Sequence, residues 1–127
     1  MTREHLAKGE KPLFWVGSAR KDFLSLPEAV QRSVAEGLGR VQFGGFPPGA
    51  KPWKGDGPGT VEIREDDRGD TFRAVYTVRF ERAVYVLHVF QKKSKQGNKT
   101  DRRDQELIAS RLRDAEKDYE ARFARLG

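Results

Sequence analysis

Cysteine is absent from the chain of 127 residues. Disulfides and thiolate metal sites are therefore excluded, and nothing in the residue usage points to an oxidising compartment. Histidine is almost as scarce, with only His5 and His88. They lie far apart and without HExxH-type spacing, which argues against zinc. No metal and no cofactor is expected. Long apolar runs are missing too, and none approaches the roughly 20 residues of a membrane span. The polar stretch from Met1 to Lys11 lacks the hydrophobic segment of a signal peptide. The expectation is a cytoplasmic protein with no membrane contact. There is no Gly-rich phosphate loop after a strand, no serine nucleophile elbow and no carboxylate pair suited to glycoside hydrolysis.

What is present is charge. Lys and Arg number 25 against 19 Asp and Glu, a formal net charge of +6, and 35% of residues are charged. Such a balance favours an anionic partner, whether RNA, DNA or an acidic protein, and also serves plain solubility. The length suits one domain with its own core. Residues 1–11 read as a flexible polar lead-in and 12–127 as a single domain.

The apolar pattern then sets the elements. Leu13 to Val16 is rich in strand formers and suits an edge or first strand. Ser18 can cap a short helix through Leu24, and Pro27 suits the first turn of another. Val30, Val34, Leu38 and Val41 form one helical stripe. Two helices, or one bent helix, are predicted over 19–43, with Gly37 and Gly39 weakening its end. The Gly- and Pro-rich stretch from Gly44 to Gly59 is predicted to be a long loop without regular structure. Strands are predicted over Thr60–Glu65, Thr71–Phe80 and Ala83–Gln91. Short connections make them antiparallel neighbours. The last is apolar on both faces except at His88, so it should be central and covered. Thr100 or Asp101 can cap a final helix, whose stripe is Ile108, Leu112, Ala115, Tyr119 and Phe123. The fold class is α+β, with N-terminal helices, a twisted antiparallel sheet and a C-terminal helix. Helices are expected on one sheet face, leaving the other partly open.

Candidate chemistry clusters around the sheet. Gln91-Lys92-Lys93-Ser94-Lys95 follows directly on the last strand. It reads either as a phosphate site on a rigid support or as a solvated turn. Arg64 and Arg73 alternate away from Ile63 and Phe72, so a hairpin would bring both guanidiniums to one face. There they could clamp a phosphate, or form cross-strand ion pairs with Glu62 or Glu65. His88 shares a strand face with Val86 and Phe90 on simple alternation. It is either a satisfied core histidine or, if exposed, a general acid or base. Trp53 and Phe46 could stack on a base or close over the core.

Pro52-Trp53-Lys54-Gly55, Val61-Glu62-Ile63-Arg64, Phe72-Arg73-Ala74-Val75-Tyr76 and, above all, Tyr85-Val86-Leu87-His88-Val89-Phe90-Gln91-Lys92-Lys93-Ser94 together resemble the HigB branch of the RelE/ParE toxin superfamily. This branch includes phage-derived relatives. The resemblance covers about residues 12–119. It implies a toxin of a type II toxin–antitoxin module, a ribosome-dependent mRNA endoribonuclease partnered by a small helix-turn-helix antitoxin. It also implies metal-free attack of a ribose 2′-oxygen on the adjacent phosphate. The family's strand arginines fall on Arg64 and Arg73. Its basic residues after the last strand fall on Lys92 and Lys93, with Lys95 beyond, and its loop lysine on Lys54 beside Trp53. His88 is an acid or base only if it reaches the open face. Several members carry a tyrosine or a histidine–aspartate set near the start of the last helix, whereas Lys95 to Asp104 holds neither Tyr nor His. The related gyrase-directed branch makes a non-catalytic binding protein of the same fold the alternative.

Overall fold

The computed structural model describes residues 6–92 and 101–124. In chain order it contains β1 (Leu13–Trp15), α1 (Ala19–Leu24), α2 (Glu28–Gln42), β2 (Lys51–Pro52), β3 (Thr60–Asp67), β4 (Asp70–Thr77), β5 (Val84–Lys92) and α3 (Arg102–Phe123). The strands form one sheet in the order β1-β5-β4-β3-β2. The predicted helices, the three main strands and the long C-terminal helix are all present.

The helices follow from local chemistry. Ser25, Leu26 and Pro27 separate α1 from α2, and Pro27 stands at the N-cap of α2. Ser18 occupies the N-cap of α1, but its hydroxyl donates to Asp22 Oδ2 instead of accepting a backbone N–H. The stripe Val30, Val34, Leu38 and Val41 is fully buried. Gly37 sits within it for a steric reason: a Cβ there would lie 3.1 Å from Ile63 Cδ1, so glycine lets α2 close on β3. Asp101 caps α3 by accepting from the Arg103 N–H. The alternative cap, Thr100, lies outside the described residues.

Three expectations are corrected. The sheet is not wholly antiparallel, because β1 runs parallel to β5. A strand at the chain's start can join β5 in this sense only after the chain has crossed through α1, α2 and the hairpins. The loop from Gly44 to Gly59 is not free of regular structure, since Lys51 and Pro52 pair with Glu62 and Val61. Proline is tolerated there because β2 is an edge strand of the sheet among the described residues. Finally, both sheet faces carry helices. Val30, Val34, Leu38 and Val41 pack on Val61, Ile63, Phe72, Ala74, Val84, Val86 and Val89 on one face. Ile108, Leu112 and Ala115 pack with Trp53, Val75, Tyr85 and Leu87 on the other. A strand as apolar on both sides as β5 needs cover on both, and α3 supplies the second. β5 lies between β1 and β4, and β4 is the middle strand.

A register shift between Val75 and Tyr76 interrupts the β4–β5 ladder. Val75 faces His88 while Tyr76 faces Val86, leaving Leu87 as the extra residue. Such a bulge re-aims the side chains that follow it. Val86 lies on the α1–α2 face, whereas Leu87 packs toward α3 and His88 bonds to a residue of α3. His88 therefore does not share a face with Val86, as plain alternation predicts.

Candidate active site

Antiparallel partners project to the same side of a sheet. On the α3 side the pairing makes three rows. The first is Lys51–Glu62–Val75–His88, the second Arg64–Arg73–Phe90, the third Asp66–Thr71–Lys92. Helix α3 packs against β5, so the β3–β4 half of this face carries its charge outside the helix. Arg64, Arg73 and Lys92 thus gather at one end of the sheet, with Lys51 beside them on the edge.

Arg73 is the deepest of these cations, only 3% exposed, and its Nη1 lies 3.4 Å from Glu62 Oε2. Arg64 is half-buried, with Nε 4.0 Å from Asp66 Oδ1. Lys92 ends β5 half-buried. Its pKa is held below the ordinary lysine value by partial desolvation, then by the Arg73 and Arg64 guanidiniums, with Glu62 opposing. The ion pair between Arg73 and Glu62 is one of the two forms the sequence allows for these arginines. It does not remove Arg73 from the cationic end, because Arg73 still depresses Lys92.

His88 faces α3. It is 7% exposed, and its Nε2 lies 2.7 Å from Asp104 Oδ1, the two residues being 16 apart in sequence. Its ring stacks on Phe90 with centroids 4.5 Å apart and planes 14° apart. Burial pushes its pKa down, Arg111 adds to this, and Asp104 and Asp22 oppose. Asp104 lies four residues before Ile108, one turn ahead of the helix stripe and on the same face, which is why its carboxylate reaches β5. His88 of β5 and Asp104 in the first turn of α3 thus form a histidine–aspartate pair across the sheet–helix interface. Asp104 also sits where a carboxylate favours the helix dipole.

The remaining expected site residues separate. Trp53 is a core residue, 8% exposed, with its indole N–H donating to Asp56, so its ring is not a base-stacking surface. Phe46, grouped with it in the sequence, is 61% exposed. Lys54 is exposed beyond the Trp53–Thr60 contact, at the end of β3 opposite Asp66, and does not join the cationic rows. Lys51, exposed on the edge strand, stands directly across from Glu62. The signal for it was the register of a two-residue strand, which no periodicity could reveal. Lys93 and Lys95 lie outside the described residues.

The depressed pKa of His88 has a consequence for stability. The folded state favours the neutral ring, so the unfolded chain binds the proton more readily. This contribution is complete above the unfolded value of about 6.5 and is lost as pH falls through the lower folded value. Urea midpoints are expected to fall as pH drops below about 6.5 for the wild type, and less steeply for His88→Gln. Parallel slopes for the two proteins would show that His88 does not carry the effect.

Residues 21–113 match the family described as Phage derived protein Gp49-like (DUF891). The chain belongs to this family. Gp49-like proteins form the HigB-like branch of the RelE/ParE superfamily, the group that the sequence motifs resemble. Among solved structures, the free E. coli toxin RelE, in a form with two arginines changed to alanine, superposes with a TM-score of 0.54. It shares 19% identity, over 82% of this chain and 96% of that one. The Gp49-like protein therefore has the fold of RelE toxins. The RelBE2 toxin–antitoxin complex of Mycobacterium tuberculosis gives a TM-score of 0.45 and 23% identity, over 65% of this chain and 98% of that one. No curated protein matches the sequence.

Proposed function

We propose that this Gp49-like protein is the toxin of a type II toxin–antitoxin module and cleaves mRNA on the ribosome in the cytoplasm. The observation that carries the proposal is the convergence of Arg64, Arg73 and Lys92 at one end of the sheet. The family and the RelE fold are consistent with it.

The chemistry is attack of a ribose 2′-oxygen on the adjacent phosphorus. The P–O5′ bond breaks, leaving a 2′,3′-cyclic phosphate on one fragment and a 5′-hydroxyl on the other. A proton leaves the 2′-oxygen and one reaches the 5′-oxygen. Arg64 holds the phosphate through charge-assisted bonds. Arg73, fixed by Glu62 beneath it, raises the positive potential where negative charge develops. Lys92 is the proton-transfer group, since its neighbours favour its neutral form. Lys93 and Lys95 add cations for the RNA strand. His88 is a positioning residue that ties β5 to α3. The antitoxin, a small helix-turn-helix protein, would inhibit by covering the cationic end.

The Arg73–Glu62 ion pair is the observation that favours a second reading, a non-catalytic toxin or phage-derived binding protein, for example one directed at gyrase. Expression followed by mapping of mRNA 5′ ends, with and without translation blocked, separates the two. Cuts within codons are expected that disappear when translation is blocked and when Lys92 is changed to Ala. Growth arrest with intact mRNA sinks the nuclease and leaves the second reading.

A further inference from the structure

Phe90 is a large apolar side chain in an unusual place. Its cross-strand partner is Arg73, which in turn faces Arg64. Two residues further along β5, on the same side, is Lys92. A phenylalanine among three cations is not explained by core packing alone, since Phe90 is only partly buried at the margin of the α3 cluster. One face of its ring is occupied by His88, stacked 14° from parallel. Among the described residues no other aromatic ring lies against it.

The ring is held in place. His88 is fixed by its bond to Asp104, and the cap on Asp101 sets the start of the helix that carries Asp104. The β5 bulge is what brings His88 to the α3 side above Phe90's row. A rigid aromatic face flanked by guanidiniums and an ammonium is the arrangement that binds single-stranded nucleic acid: phosphates go to the cations and a base to the ring.

We propose that Phe90 is a base-stacking platform, on which an unpaired RNA base lies while the adjoining phosphate is held by Arg64 and Lys92. This deepens the RNA-directed reading above and rests on it. Stacking has no sequence code, so the platform sets the register of the strand against Lys92 and does not choose a base. The Asp104–His88 pair then acts as the support of the platform. Its polarity keeps the supporting ring from rotating away, a role that a purely apolar neighbour would not fill.

The test uses the full chain and a fluorescent oligouridine of about six nucleotides, matching the smaller single-strand site sizes. Its riboses carry 2′-fluoro groups, which cannot supply the attacking oxygen, so binding is read without cleavage. A second probe of equal length lacks the bases. Phe90→Leu keeps apolar volume and removes the π-face. It is expected to weaken oligouridine binding by about 5- to 100-fold and leave the base-free probe unchanged. Phe90→Trp is expected to restore binding, which guards against simple misfolding of the leucine variant. Equal affinity of wild type and Phe90→Leu for oligouridine overturns the proposal. So does an equal loss on both probes that Phe90→Trp does not rescue. Weaker binding of an acidic polypeptide by Phe90→Leu, with RNA binding intact, would make the ring a protein contact and also overturn it. The toxin reading fails separately, through intact mRNA in cells, and that result leaves the two-probe comparison meaningful.

Discussion

An Arg73→Ala variant is expected to lose about 3–5 kcal/mol of stability, seen as a lower urea midpoint, because it strands a buried charge. Arg73 is 3% exposed and Glu62 is 9% exposed, with their charged atoms 3.4 Å apart. Removing the guanidinium leaves the largely buried Glu62 carboxylate without its ion-pair partner. A buried pair contributes little net stability over a well-packed apolar pair, because desolvation offsets the attraction. The double variant Arg73→Met with Glu62→Met is therefore expected to recover most of the loss. It should nonetheless remain inactive, since the cation beneath the phosphate is gone. Stability and toxicity would then part company in one protein. A double variant that stays as unstable as Arg73→Ala would show that Arg73 stabilises through contacts other than Glu62. An active double variant would remove Arg73 from the mechanism.

That distinction bears on how the arginine pair could be read at all. Alternation alone put Arg64 and Arg73 on one face, and the β3–β4 register pairs them directly. Alternation could not say whether they met a phosphate or a glutamate, because both outcomes need the same geometry. The helical stripes were equally plain: Val30 to Val41 and Ile108 to Phe123 each repeat at the helical period and each build one core. What periodicity hides is anything that breaks period two. The bulge at Leu87 shifts His88 relative to Val86, and no residue type in Val86-Leu87-His88 marks it. Asp104 does keep the helical period, one turn before Ile108, but a carboxylate in a first turn reads equally well as a partner of the helix dipole. The pairing of Lys51 and the burial of Trp53 both depend on β2, too short to leave a pattern. The parallel seating of β1 likewise turns on how three residues meet a strand about 70 positions away, a long-range choice that local pattern does not encode.

Lys92→Ala is expected to leave the fold intact and to reduce cleavage by about 10²–10⁴-fold, the range of a lost acid–base group. The residue sits half-buried at the end of β5, outside the two apolar core clusters. Its replacement by arginine is the sharper test. Lys92→Arg preserves the positive charge but cannot release a proton near neutral pH, because guanidinium stays charged. Binding of a non-cleavable RNA should then be retained while turnover stays low. Full activity of Lys92→Arg would reduce the role of this position to electrostatics. The pH profile follows from the direction of the shift. Desolvation, Arg73 and Arg64 all favour neutral Lys92, so the neutral base forms at lower pH than for an ordinary lysine. The cleavage rate of single turnovers should rise with pH to a plateau reached below about 10.4, the ordinary lysine value. Arg64→Gln removes one of the depressing charges, so the same rise should move to higher pH even as RNA affinity falls. A rise that does not move in Arg64→Gln would mean that the titrating group is not Lys92. The positive charges at this end of the sheet thereby have two separable effects, holding the phosphate and lowering the proton affinity of the lysine beside it.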